Sequence, residues 1–151
     1  MRLTIFTDYT LRTLIYVGLR PGVMVTIADI ADAYRISPNH LMKVVHKLAL
    51  SGDIETLRGQ HGGLRLARAP EQICIGAVVR RSEPDLSLVP CMQDGEKCVI
   101  QDQCLLAYTV RDALQAFLDV LDRLTLADLL TRRRELSSLL GIRDGAARPR
   151  T

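Results

Sequence analysis

The sequence predicts a mainly α protein with one β-hairpin and a long helix near its C-terminal end, on three observations. Two short helices with a tight turn between them fit residues 26–52. The runs Ile54-Glu55-Thr56-Leu57 and Leu64-Arg65-Leu66 flank a glycine-rich connection, and apolar residues between Cys104 and Leu124 recur at heptad spacing. Two such helices followed at once by such a hairpin make a winged helix-turn-helix with a β-hairpin wing, here extended by a long C-terminal dimerisation helix.

The first helix is expected to start at Thr7, whose hydroxyl can cap it, with Asp8 in the first turn where a carboxylate suits the positive end of the helix dipole. Leu11, Leu14, Ile15 and Gly18 share one face, and Arg20-Pro21-Gly22 ends the helix. Thr26 and Asp29 form a capping-box-like start for the second helix, which runs through Ile27, Ile30 and Ala31 to about Tyr34. Ser37-Pro38 then supplies an N-cap and a proline in the first turn of a third helix reaching Gly52.

At about 100° per residue, Leu41, Val44, Val45 and Leu48 fall on one side of the third helix, with Asn39, Lys43 and His46 almost opposite. A polar face is what any amphipathic surface helix carries; followed by a wing, it becomes a candidate for base edges or phosphates. The connection Arg58-Gly59-Gln60-His61-Gly62-Gly63 offers Arg58 and His61 on a backbone that glycines let approach a partner closely, and Arg12 and Lys47 stand in support.

Beyond the wing, a short helix is expected from Ile75 to about Arg81, then a connecting segment with two prolines from Ser82 to Pro90. In the long helix Leu106, Val110, Ala113, Phe117, Val120 and Leu124 form the heptad stripe, widened by Leu114, Leu118 and Leu121. So wide an apolar arc has to bury two sides, either inside a monomer or, since little chain remains to wrap it, against a second copy. Thr125 to Leu130 adds a capped final turn, and residues 142–151 read as a loose tail. The organisation is thus a DNA-binding domain at 1–81, a connecting segment and cysteine loop at 82–103, the dimerisation helix and short terminal helix at 104–131, and a basic, partly flexible tail at 132–151.

The net charge of +3 conceals a pattern. Residues 1–81 carry 11 Lys+Arg against 6 Asp+Glu, residues 82–131 carry 3 against 9, and residues 132–151 carry 6 against 2. A polyanion is therefore met mainly by the first half. No uncharged run approaches a membrane span, and Asp8 and Arg12 interrupt any secretory signal, so a cytoplasmic protein without membrane contact is expected.

In that compartment, clustered cysteines read as metal-binding or redox-active rather than as structural disulfides. Cys91, Cys98 and Cys104 stand in a C-x6-C-x5-C pattern within 14 residues. Zinc sites use tighter knuckles, whereas a longer loop containing Gly95 can wrap an iron-sulfur cluster; a thiol switch, zinc and no ligand at all are the other readings. Only three cysteines are local. Cys74, among Ile73, Ile75 and Ala77, fits a small buried thiol better than a fourth ligand. No cofactor motif or acid-base constellation accompanies the loop, which argues against an enzyme.

Several short stretches are more specific than the fold: Leu3-Thr4, Phe6-Thr7-Asp8-Tyr9 and Leu11-Arg12; Ser37 with Asn39-His40; Arg58-Gly59 with Gly62-Gly63; Ile75-Gly76 with Val78-Val79-Arg80; Glu83-Pro84; Leu86-Ser87-Leu88-Val89; the three cysteines; and Thr125-Leu126-Ala127-Asp128-Leu129. In these the chain resembles the NsrR family of nitric-oxide-sensing iron-sulfur transcriptional repressors, relatives of IscR and RirA, over nearly all of its length to about residue 131. The resemblance implies a bacterial homodimer on a palindromic double-stranded DNA operator, associated with the nucleoid when bound. It implies an iron-sulfur cluster on Cys91, Cys98 and Cys104, 4Fe-4S favoured and 2Fe-2S possible, with Asp8 reaching across from the other subunit as the additional ligand. The histidine that IscR-like proteins place after the third cysteine is absent, since Leu105, Leu106, Ala107 and Tyr108 follow Cys104. Nitrosylation of the cluster is then expected to release DNA and derepress nitric oxide detoxification genes. An iron- or redox-responsive regulator of the same fold, or a small iron-sulfur redox protein, are the alternatives.

Overall fold

The computed structural model describes residues 2–59, 62–93 and 98–142. Seven α-helices and one two-stranded antiparallel sheet build the described chain. Helix α1 (Ile5–Gly18) begins three residues earlier than Thr7 leads one to expect. Thr4 is the cap: its hydroxyl accepts the Thr7 N–H at 3.2 Å, while Thr7 itself is fully buried inside the helix. Thr4 wins because its own N–H is fixed by the Glu83 carboxylate at 2.8 Å. Asp8 remains in the first turn, as expected.

Helix α2 (Ile27–Tyr34) starts on the capping box of Thr26 and Asp29. It ends at Arg35, whose φ of 54° places it in the left-handed region, and the chain turns into α3 (Pro38–Leu50). Ser37 precedes α3 without a side-chain capping bond. Strands β1 (Ile54–Leu57) and β2 (Gly63–Leu66) pair antiparallel, Ile54 opposite Leu66 and Leu57 opposite Gly63. Val25 adds a short third edge: its N–H donates to Leu64 O at 2.9 Å, and the Leu64 N–H returns the bond at 2.7 Å. A Cβ on Gly63 would lie 2.7 Å from the Val25 carbonyl oxygen, so only glycine permits this approach.

After a 3₁₀ turn at Pro70–Gln72 come α4 (Ile75–Ser82), two further 3₁₀ turns at Pro90–Met92 and Gln101–Gln103, and α5 (Leu105–Asp122). Helix α6 (Leu126–Leu129) starts on a second capping box, Thr125 with Asp128. Helix α7 (Arg133–Leu139) has no counterpart in the sequence reading. Its arginines mask a short apolar face: Leu136 and Leu140 pack on the core, Ile142 behind them is buried, and Arg133 Nη1 donates to Leu19 O at 3.1 Å. The expected loose tail falls on residues that lie, from 143 onward, outside those described.

The core gathers Leu14, Ile30, Leu41, Val44, Ile54, Ile73 and Val78 with Leu126 from the far end of the chain. Residues 73–75 and 124–126 are stitched together: the Ile75 N–H donates to Leu124 O and the Leu126 N–H to Ile73 O, both at 2.9 Å. Among the described residues no helix is long and apolar enough to cross a membrane.

Candidate nucleic-acid interface and cysteine loop

Helix α3 divides as its periodicity requires. Leu41, Val44, Val45 and Leu48 are buried against α1 and α2, leaving Asn39, Lys43, His46 and Lys47 exposed along the outer face. Arg58 is exposed at the end of β1, and Gly59 follows it with φ 111°, a backbone conformation that favours glycine. His61 lies outside the described residues. Arg12 is engaged elsewhere: its Nε stands 2.9 Å from Asp8 Oδ2, and its guanidinium lies 5.6 Å from the centre of the Tyr34 ring. Burial pushes the Tyr34 hydroxyl up to about 12, against the opposing pull of Arg12. Tyr9, next to Asp8, meets the ring of His40 at 6.1 Å and so connects the first turn of α1 with the start of α3.

The three loop cysteines are free thiols at the boundaries of short turns. Cys91 sits in the 3₁₀ turn packed against α5, Cys98 is exposed ahead of the next turn, and Cys104 is the N-cap residue of α5 without a side-chain capping bond. The N-terminus of a long helix favours negative charge, as a thiolate-bound group carries. Asp85 organises the approach to Cys91: one carboxylate oxygen accepts the Ser87 N–H and the other the Gln93 amide, both at 2.7 Å, and these bonds hold its carboxyl below the usual range. Gly95 lies outside the described residues. Among the described residues no three His, Cys, Asp or Glu side chains converge as a single-ion site.

Cys74 is half-buried rather than fully buried, since it caps α4 beside the end of α5, where its thiol donates to Asp122 O at 3.6 Å. Two further clusters involve residues to which the sequence analysis gave no role. Arg80 grips Asp122 with both terminal nitrogens, at 2.5 and 2.8 Å, which holds the Asp122 carboxyl below its ordinary range. Arg81 Nη2 reaches Asp53 Oδ2 at 2.6 Å, and Asp53, 1% exposed, also receives the Ser51 hydroxyl at 2.7 Å and stands 3.4 Å from Arg68 Nη2. A buried aspartate in a turn is the one signal that could have found this cluster.

On the single chain, α5 buries Ala107 and Leu118 and leaves Leu105, Leu106 and Val120 78%, 66% and 53% exposed. One side of the helix therefore packs on its own chain, and apolar residues of the other remain outside.

The Rrf2 family model, described as an iron-dependent transcriptional regulator, matches residues 3–132. The HTH-type transcriptional regulator NsrR of Geobacillus kaustophilus is 50% identical over 147 residues, covering 96% of this chain and 100% of that protein. The NsrR of Bacillus subtilis is 44% identical over 146 residues, 95% and 100% of the two chains. Among solved structures, CymR, the global cysteine regulator of B. subtilis, superimposes with a TM-score of 0.68 at 27% identity, covering 87% of this chain and 98% of that one. IscR of T. potens shares the fold, with a TM-score of 0.69 at 23% identity over 89% and 90% of the chains.

Proposed function

The chain belongs to the Rrf2 family of transcriptional regulators, and from that premise we propose that it is a repressor that senses nitric oxide through an iron-sulfur cluster and binds a palindromic operator as a homodimer. The observation that carries the sensor reading is the set of three free, accessible thiols in the segment that leads into α5, the last of them the helix's N-cap residue. Soft thiolates suit iron-sulfur iron better than hard cations, so the donor set fits the group. Cys91, Cys98 and Cys104 would hold it, 4Fe-4S in preference to 2Fe-2S, and Asp8 of the second copy would complete the set. When bound, the cluster supplies iron that reacts with nitric oxide.

The remaining work belongs to the chain's own residues. The exposed Leu105, Leu106 and Val120 are covered by a second copy, which fixes the separation of two α3 helices. Asn39, Lys43, His46 and Lys47 face the major groove, and Arg58 and His61 follow the wing onto phosphates or the minor groove. Whenever Asp8 is not engaged across the dimer it returns to Arg12, as in the single chain, and α1 is free to shift beneath α3.

Absorption spectra of anaerobically purified protein before and after nitric oxide, paired with operator binding by the loaded, cluster-free and nitrosylated forms, test this reading. A coloured protein whose DNA affinity falls on nitrosylation is expected. Equal affinity in all three forms, or a colourless protein with zinc or no metal, refutes it.

A further inference from the structure

Between the end of α4 and the start of the cysteine-bearing segment, residues 80, 81 and 83 each hold a different part of the molecule. Arg80 holds the end of α5 through Asp122. Arg81 holds the turn between α3 and the wing through the buried Asp53, whose backbone is itself woven into that turn: the Asp53 N–H donates to Leu48 O and Asp53 O accepts the Ala67 N–H, both at 3.0 Å. Glu83 holds the cap of α1, its Oε1 accepting the Thr4 N–H at 2.8 Å and the Thr4 hydroxyl at 3.2 Å. Pro84 follows at once, and the chain proceeds through Asp85 to Cys91.

We propose that residues 80–83 form the mechanical joint between the cysteine loop and the DNA-reading surface, with Arg81 and Glu83 as positioning residues that set the wing and α1 relative to one another. Four features support this. The three grips lie on neighbouring residues, so a shift of the segment toward Cys91 moves them together. They join parts otherwise distant in sequence, 28 residues apart for Arg81 and Asp53 and 79 for Thr4 and Glu83. The Asp53 carboxylate is withdrawn from water between Arg81 at 2.6 Å and Arg68 at 3.4 Å, and the closer, hydrogen-bonded partner is Arg81. Thr4 lies one helical turn before Asp8, so the joint reaches α1 at the end that carries the proposed cross-dimer ligand. The inference rests on the sensor reading above and adds the route from the loop to the DNA face.

The test uses full-length protein and two sets of variants, Glu83→Ala against Glu83→Gln, and Asp53→Asn combined with Arg81→Gln, which replaces the ion pair with two amides while Arg68 keeps its bonds to Ser51 O and Gly52 O. Hydrogen exchange of the cluster-free protein gives the first readout. Glu83→Ala is expected to speed exchange at least fivefold in β1 and β2, and the amide pair to do so in the first turn of α1, each on the far side of the joint. Loosening confined to each variant's own contact overturns the proposal. The second readout is the ratio of loaded to cluster-free affinity for a duplex recovered by selecting protein-bound genomic fragments. Both Glu83→Ala and the amide pair should keep the wild-type cluster spectrum while that ratio falls at least fivefold, and Glu83→Gln, whose amide oxygen still accepts from Thr4, should restore it. Ratios within twofold of wild type in both overturn the joint. A wild-type ratio of one overturns the sensor reading instead, and the exchange measurement then decides the joint alone.

Discussion

Asp8 and Arg12 are paired one helical turn apart on α1, carboxylate oxygen to guanidinium Nε at 2.9 Å, with both side chains nearly half exposed. The carboxylate proposed to serve across the dimer therefore has a partner in its own chain. An exposed pair at this spacing is worth about 0.5 kcal/mol, roughly a twofold bias. Arg12→Ala should release Asp8 and slow cluster loss about twofold, read by the decay of cluster absorbance under chelator. Asp8→Ala should leave the melting temperature nearly unchanged but alter the cluster spectrum and its response to nitric oxide. Unchanged spectra in Asp8→Ala remove Asp8 from the ligand set.

Gly76 stands where a side chain has no room, because a Cβ there would lie 1.9 Å from Asp122 Oδ1 and 2.9 Å from the Asp122 backbone nitrogen. Gly76→Ala must push α5 away from α4. Overpacking of this kind costs about 2 kcal/mol, equivalent to a fall in melting temperature of about 6 °C for a chain of this size. Calorimetry checks it, and a shift below about 1 °C would mean that α5 yields freely.

Lys43 lies on the exposed face of α3. If it neutralises a phosphate, Lys43→Ala should weaken all sequences alike and lower the slope of log affinity against log salt by about one unit. A change in base preference with an unaltered slope would make Lys43 a base reader. The same titration on Arg58→Ala reports whether the wing touches phosphate.

The acid limb of stability should be set partly by α6. The Asp128 carboxylate accepts the Thr125 N–H at 2.7 Å and hydroxyl at 2.8 Å, which holds its carboxyl below the ordinary 3.8. A folded value below the unfolded one contributes stability that is present above pH 3.8 and disappears as pH falls through the folded value. Asp128→Asn should therefore flatten the pH dependence of urea unfolding in that acidic window and leave its shape at neutral pH alone.

At the alkaline end Tyr34 acts with the opposite sign. Its folded value of about 12 exceeds the ordinary 10.0, so the neutral phenol is favoured in the fold. That contribution is complete below pH 10 and is lost as pH rises toward 12. Tyr34→Phe should lessen the loss of stability across this window, and tyrosinate absorbance at high pH should show late ionisation in the native protein that the variant lacks.

The reading head was legible where its determinants are local. Thr26 with Asp29, Pro38, the apolar period of α3 and the glycines of the wing each act within a few residues, and each produced the element expected from it. The start of α1 was not, since Thr4 and Thr7 are both competent caps and the choice is made by Glu83 far along the chain. Arg80–Asp122 and Arg81–Asp53 escaped for the same reason: nothing near Arg80 in sequence announces a carboxylate 42 residues away. Cys74 looked enclosed because its neighbours are apolar, yet it lies where α4 meets the end of α5, an edge that neighbour composition does not reveal. Helix α7 was hidden by Arg132, Arg133 and Arg134, whose charge outweighed the three apolar residues that actually dock. The loop cysteines stand out by their spacing, and the ligand set proposed for them includes a residue of a second copy, which no pattern within one stretch of sequence announces.

The two backbone bonds that join 73–75 to 124–126 give the chain an unexpected partition. Between them the chain runs through α4, which gives Ile75 and Val78 to the core, and through α5 before it returns to the same point, where Leu126 re-enters the core. The core beneath α3 thus draws on both ends of the described chain. Cutting the gene at the last turn of α5 would yield an unfolded reading head rather than a monomeric repressor. Because α4 gives Ile75 and Val78 to that core, and Arg81 and Glu83 at its end hold the turn before the wing and the cap of α1, any shortened chain has to keep α4 as well as Leu126.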